Sequence, residues 1–128
     1  VLNFTIPLNP VTKKNSSQLI TRNGKTFPIP SKAYAQYEKD CGIFIPRLAK
    51  PIDYRVNIKA VYYMKTDYFH PDKKSVIDLS NLNSALHDCL VHHGLLQDDN
   101  CRIAFTTDGS YVDFDKLNPR TEITITEI

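Results

Sequence analysis

Between Asp78 and Asn100 the chain reads DLSNLNSALHDCLVHHGLLQDDN, with carboxylates at both ends of a stretch of helical periodicity and few other acidic residues near it. Hard divalent cations such as Mg2+ take oxygen ligands, commonly one or two carboxylates completed by water and a substrate phosphate. Beside a phosphodiester, such an ion activates the attacking water and stabilises the leaving oxygen. Asp78, Asp98, Asp99 and Asp88 are the residues that could build this site. Taken singly, each is better explained as a helix cap, part of a solvated helix face or part of an acidic turn, and it is the pattern as a whole that points to a site.

Spacing narrows the set. Asp78 and Asp88 are separated by about 15 Å along one helix, too far for both to bind one ion through bonds near 2 Å. Asp88 is therefore read as a supporting or structural residue, or one that anchors a neighbouring loop. If the helix runs to about His92, its ends lie roughly 20 Å apart, and His93 to Asp99 cover a similar distance only when fully extended. Three arrangements remain open: a tail that doubles back almost straight, a shorter helix, or Asp99 meeting Asp78 of a second subunit. His87, His92 and His93 fall on different faces, and histidines near a helix C-terminus interact well with its dipole, so ordinary structural roles are assigned to them.

The helix itself is predicted from Leu82, Leu86, Cys89 and Leu90, which recur at the spacing of one buried face. Asp78, Asn81, Ser84 and Asp88 step by three and four along another side. Gly94 is the expected C-cap. Upstream, Val1–Leu8 alternates like a half-buried strand. The loop Val11–Ser17 follows, where Lys13, Lys14 and Asn15 could donate to phosphate oxygens. Asn23–Gly24 predicts a tight hairpin, with Pro28 and Pro30 restricting its second arm to an edge. Ser31 is the expected N-cap of a helix burying Tyr34, Tyr37, Cys41 and Phe44 before Pro46.

Tyr54–Lys65 is the clearest strand, with Val56, Ile58, Ala60, Tyr62 and Met64 on one face. Thr66–Val76 is a polar loop carrying His70, Lys73 and Lys74 directly before the central helix. Cys101–Thr107 is predicted as a strand with Ile103 and Phe105 on the same face. Asp108–Gly109 then turns the chain, Tyr111–Phe114 returns, and Thr121–Ile128 closes the fold. The elements predict an α+β fold: a two-layer domain with a mixed or mainly antiparallel sheet and two main helices.

At 128 residues the chain is read as one domain, residues 1–128, able to bury roughly two-thirds of its unfolded surface. Nothing approaches the roughly 18 apolar residues of a membrane span, and no secretory leader pattern is expected. Cys41, Cys89 and Cys101 lack metal-site spacing and suit reduced thiols in a cytoplasm. The net charge of +2 hides a division. Residues 1–77 hold thirteen Lys/Arg against five Asp/Glu, whereas 78–128 hold three against nine. A basic half for a polyanion and an acidic half for cations suits a nucleic-acid enzyme, although surface charge also segregates by chance.

The segment Asp78-Leu79-Ser80-Asn81-Leu82, followed by Ala85, Asp88, Leu90, Gly94 and Asp98-Asp99, resembles the signature of RusA-type Holliday junction resolvases, small endonucleases of DNA recombination and repair common in phages and prophages. The likeness extends over most of the chain. It implies a homodimer that binds four-way DNA junctions and makes paired nicks with Mg2+, or with Mn2+ in its place, in the cytoplasm of a bacterial or phage-infected cell. Carried over by position, Asp78 and Asp99 become metal-binding aspartates with Asp98 beside them, supported by Ser80, Asn81, Ser84 and Asp88. Lys13, Lys14, Asn15, Lys73 and Lys74 are the candidates for the DNA backbone. The family pattern has an aspartate at the place of Ser80 and a lysine at that of Ser84. Ser80 weakens the site's negative charge, and Ser84 removes a cation that could steady the transition state. The alternatives are a junction-binding protein of this fold that has lost cutting and a small intracellular interaction module.

Overall fold

The computed structural model describes residues 1–13, 17–30 and 32–128, and within the hairpin 17–30 it describes the side chains of residues 23–25 only. The expected N-cap Ser31 and the loop residues Lys14 and Asn15 lie outside the described residues. Chain order is β1 (Leu2–Ile6), β2 (Ser17–Arg22), β3 (Lys25–Pro30), α1 (Lys32–Cys41), a 3-10 turn (Gly42–Phe44), β4 (Val56–Met64), α2 (Leu79–His92), β5 (Ala104–Thr106), β6 (Tyr111–Phe114) and β7 (Arg120–Glu127). This is an α+β fold with a five-stranded mixed sheet and two helices, consistent with the fold class read from sequence.

In the main sheet β7 lies between β1 and β4, antiparallel to both, while β5 and β6 run parallel to β4 along its other side. Val56, Ile58, Ala60, Tyr62 and Met64 are all at most 2 % exposed, so the alternation of β4 was a faithful guide to its buried face. Thr121, Ile123 and Ile125 of β7 continue that face, and with Leu2, Phe4 and Ile6 of β1 it meets the apolar sides of the helices. α1 contributes Tyr34, Tyr37 and Cys41, and α2 contributes Leu82, Ala85, Leu86, Cys89 and Leu90. The Tyr62 hydroxyl donates to Asn83 Oδ1 at 2.7 Å, tying sheet to helix. Separately, β2 and β3 form a two-residue hairpin in which Asn23 (φ 53°) and Gly24 (φ 74°) take the positive angles that Asn-Gly favours.

One topological expectation fails. Tyr111–Phe114 does not return beside the preceding strand; β5 and β6 lie in line along β4, interrupted by residues 107–110. Asn57 stitches the interruption. Its Oδ1 accepts from the Asp108 backbone N–H (2.7 Å) and the Thr106 hydroxyl (2.6 Å), and its Nδ2 donates to the Asp108 carbonyl (3.2 Å). Ser110 Oγ accepts from the Ala60 N–H, supplying the ladder bond that the gap omits. Nor do Ile103 and Phe105 share a face: Ile103 is 3 % exposed and Phe105 is 45 %. Ile103 precedes the strand, and the tight Phe105 N–H to Ile103 carbonyl bond of 2.9 Å breaks the alternation there. The outward Phe105 ring lies under the Arg55 guanidinium, 4.8 Å away.

The end of α2 decides where the chain goes next. Leu95 N–H bonds to the Leu90 carbonyl (2.9 Å) and Gly94 N–H to that of Val91 (3.0 Å), with Gly94 at φ 79°. This pair of bonds is a Schellman motif, and the accompanying apolar contact positions, Leu90 and Leu95, are both fully buried. A Cβ at Gly94 would meet nothing within 4 Å, so the cost of a side chain there is that of the left-handed backbone alone. Gly94→Ala should lower unfolding free energy by about 1–2 kcal/mol, read as a reduced urea midpoint with unchanged slope. Gly94→Asn, which tolerates this conformation better, should lose less.

Candidate active site

Asp78 is the N-cap of α2, with extended backbone angles (φ −94°, ψ 134°) and no side-chain cap hydrogen bond. Its carbonyl accepts the first helical bond, from Leu82 N–H at 3.2 Å. The carboxylate is exposed and takes a hydrogen bond from Asn81 Nδ2 at 3.3 Å. Ser80 and Ser84 are exposed on the same helix. The sequence pattern therefore places a solvent-facing carboxylate at the positive end of a helix dipole, held by one side-chain amide.

The second group of carboxylates lies toward the other end of α2. After the Schellman turn, Leu95 and Leu96 pair with Ile52: Ile52 N–H donates to the Leu95 carbonyl (2.8 Å), and Gln97 N–H donates to that of Ile52 (3.0 Å). Asp98 then uses both oxygens to shape a turn. Oδ1 accepts from Asp99 N–H at 2.7 Å and Oδ2 from Asn100 Nδ2 at 3.2 Å, while Asn100 Oδ1 accepts from Arg102 N–H at 3.0 Å. Asp98 is thus the residue that orients Asp99.

Asp99 sits within the fields of Asp88 and Asp98. Partial burial first, then the neighbouring Asp88 charge and the contact with Asp98, raise its pKa above the ordinary carboxylate value. Asp88 itself pairs with Lys13, Nζ to Oδ2 at 2.5 Å, and the same ammonium lies 5.5 Å from the Tyr34 ring centroid. The hydrogen bond to Asp88 raises the Lys13 pKa. Asp88 therefore anchors the loop after β1 to α2, the loop-holding role considered for it from sequence.

The three helical histidines are built into the surroundings. Desolvation lowers the His87 pKa against the opposing fields of Asp99 and Asp88, and its Nε2 is enclosed without a hydrogen-bond partner among the described residues. His93 Nε2 lies 2.6 Å from the Glu38 carbonyl oxygen, and its ring would collide with any Cβ on Gly42. His92 Nδ1 is 3.6 Å from Glu38 Oε1. Sequence periodicity gave no signal for His87 beside Asp99, because that contact depends on how the tail is pinned.

One chain does not unite the two groups. The charges acting on Asp99 are those of Asp88 and Asp98, whereas Asp78 lies about 15 Å up the helix from Asp88. Among the described residues no group of three His, Cys, Asp or Glu is placed to hold a metal ion. A cleft of about 220 Å3 between Val1, Tyr54 and Glu127 contains none of these carboxylates. The donors suit a hard cation in chemistry, but a single copy leaves them apart.

A family model, the endodeoxyribonuclease RusA, matches residues 7–126. The chain belongs to the RusA endodeoxyribonuclease family. No curated protein matches it at a significant level. Lys73 and Lys74 are exposed on the loop leading to Asp78, and among the described residues neither pairs with a carboxylate. Lys13, by contrast, is already engaged with Asp88. No helix among the described residues is long and apolar enough to cross a membrane.

The electrostatics of Asp99 have a measurable sign. A carboxyl whose pKa is raised on folding carries a penalty that is absent below its unfolded value, near 3.8, and grows as pH rises through the folded value. In metal-free buffer Asp99→Asn should therefore be more thermally stable than the parent at pH 7. That advantage should disappear below about pH 3.5. An equal or lower melting temperature for the variant at pH 7 would contradict the raised pKa that burial and the neighbouring carboxylates impose on Asp99.

Proposed function

We propose that this chain is a Mg2+-dependent, structure-specific DNA endonuclease that resolves four-way junctions by paired nicks, and that it acts as a homodimer whose metal sites are shared between subunits. The observation that carries the reading is the division of carboxylates along α2 in a RusA-family chain: Asp78 at its N-terminus, and Asp99, oriented by Asp98, beside Asp88. In the shared arrangement Asp78 of one subunit and Asp99 of the other would hold the ion, with Mn2+ an acceptable substitute. Ser80 and Asn81 would support Asp78. Ser84 and Asp88 lie farther along the same side of the helix. Bound there, a divalent cation supplies positive charge at the scissile phosphate and to the attacking water.

The protein groups contribute orientation and charge. Asn81 bonds the exposed Asp78 carboxylate, and Asp98 holds the backbone of Asp99. Lys73 and Lys74 would neutralise backbone phosphates next to the scissile bond, as would Lys14 and Asn15 beyond the described residues. Lys13 would exchange its carboxylate for a phosphate to do the same. A junction-binding protein that no longer cuts is the second reading, favoured by one observation: the exposed position beside Asp78 holds the neutral Ser80, so no third carboxylate completes that end.

Cleavage of a synthetic four-way junction with Mg2+, and its absence in EDTA, separates these readings. Asp78→Asn and Asp99→Asn should each be inactive alone. Mixing them should yield heterodimers with one intact site and one doubly altered site, which nick one strand without resolving the junction. No nicking from the mixture, with heterodimer demonstrated by tagged pull-down, would rule out the shared site.

A further inference from the structure

Phe69 is 64 % exposed in the loop that leads from β4 to Asp78. The loop is anchored on both sides of it. Lys65 N–H donates to Asn9 Oδ1 at 2.9 Å, and Tyr68 and Ile77 pack against the core. Between those anchors the backbone is folded, not slack: Phe69 N–H donates to Asp67 Oδ1 (3.0 Å), Asp72 N–H to His70 Nδ1 (3.2 Å) and Lys73 N–H to the His70 carbonyl (3.0 Å). Tyr68 is turned inward, and its neighbour is held outward.

Two other exposed rings have partners. Phe105 lies under Arg55, and Tyr111 hydrogen-bonds with Tyr63. Among the described residues no ring or cation engages Phe69. Around it the loop spends its two carboxylates locally, Asp67 on the Phe69 backbone and Asp72 near His70 (3.6 Å). Lys73 and Lys74 are left facing solvent. An exposed apolar ring on an ordered turn, with lysines alongside and a candidate metal ligand at the loop's end, has the composition of a site that stacks a base while cations hold its backbone.

We propose that Phe69 is a specificity-determining residue: its ring stacks on a base exposed at the branch point of DNA, so that the chain prefers branched to linear duplex. This rests on the reading of the chain as a junction endonuclease. In a continuous duplex both faces of each base are occupied, and inserting a ring requires unstacking a step. At a branch point stacking is already interrupted, so the same insertion costs less. Lys73 and Lys74, by contrast, meet phosphates that every duplex offers. Affinity and branch preference thus reside in different residues of one loop.

The test compares binding of the full chain to a four-way junction and to linear duplex of the same arm sequence, in EDTA, with 2-aminopurine at the branch point. Phe69→Ala should lower the junction-to-duplex affinity ratio about tenfold, leave duplex affinity and its salt slope unchanged, and abolish the 2-aminopurine response. Phe69→Trp should restore both. An unchanged ratio and fluorescence response in Phe69→Ala, with the parent still preferring junctions, would overturn this inference and leave the junction reading intact. A parent without junction preference would overturn both. Loss of self-association in Phe69→Ala, seen by sedimentation, would reassign the ring to contact with a second copy and likewise overturn the proposal.

Discussion

Two backbone hydrogen bonds at the C-terminal end of α2 govern the placement of Asp98 and Asp99. The Schellman closure sends the chain back over Leu90, and within two residues Ile52 captures it. From there Asp98 and Asp99 can reach only the last turns of the helix. α2 cannot shorten to bring its start nearer, because five of its residues are buried against the sheet. At 1.5 Å per residue, a helix with its core face fixed is a spacer of set length. The carboxylates therefore sit as two groups near opposite ends of one rigid element, not as a preformed cage.

That separation leaves a charge imbalance at one end. Asp88 and Asp99 lie near His87, with Asp98 beside Asp99, and the burial of His87 disfavours the protonated form that would neutralise them. Lys13 offsets Asp88 but comes from the loop after β1. Repulsion that raises a carboxyl's pKa also raises its affinity for any cation that relieves it. On the proposed reading, a site that receives metal would be destabilising while empty, a compromise common where activity demands concentrated like charge. The bridge from Lys13 to Asp88 also joins the basic half of the sequence to the acidic half.

Features carried by local chemistry were legible in the amino-acid order. The α2 boundaries follow from Asp78 and Gly94, the β4 face from strict alternation, and the hairpin from Asn23–Gly24. Family membership was legible from the aspartate signature. What escaped depends on pairings distant in sequence. The line of β5 and β6 along β4 rests on Asn57, which reads as an ordinary polar residue on a strand's outer face. The approach of Asp99 to His87 and Asp88 rests on Ile52, one apolar residue without periodic context. Gly42 was equally silent, since only the His93 ring packed against it gives its missing side chain a purpose.

The divided carboxylates bear on regulation as well as chemistry. If each ion needs an aspartate from both subunits, metal binding and association are linked: whatever stabilises the paired state raises metal affinity, and metal in turn stabilises the pair by mass action. Ser80 would strengthen that dependence. A carboxylate at its position would give Asp78 a second oxygen donor from the same helix, enough to retain some cation in a lone subunit. With a serine hydroxyl there, which ligates Mg2+ weakly, little besides Asp78 is left to hold an ion at the helix N-terminus until a second copy brings Asp99. On the proposed shared site a solitary chain would be disarmed by composition, and two cutting centres would come into being together, one on each side of the substrate's symmetry.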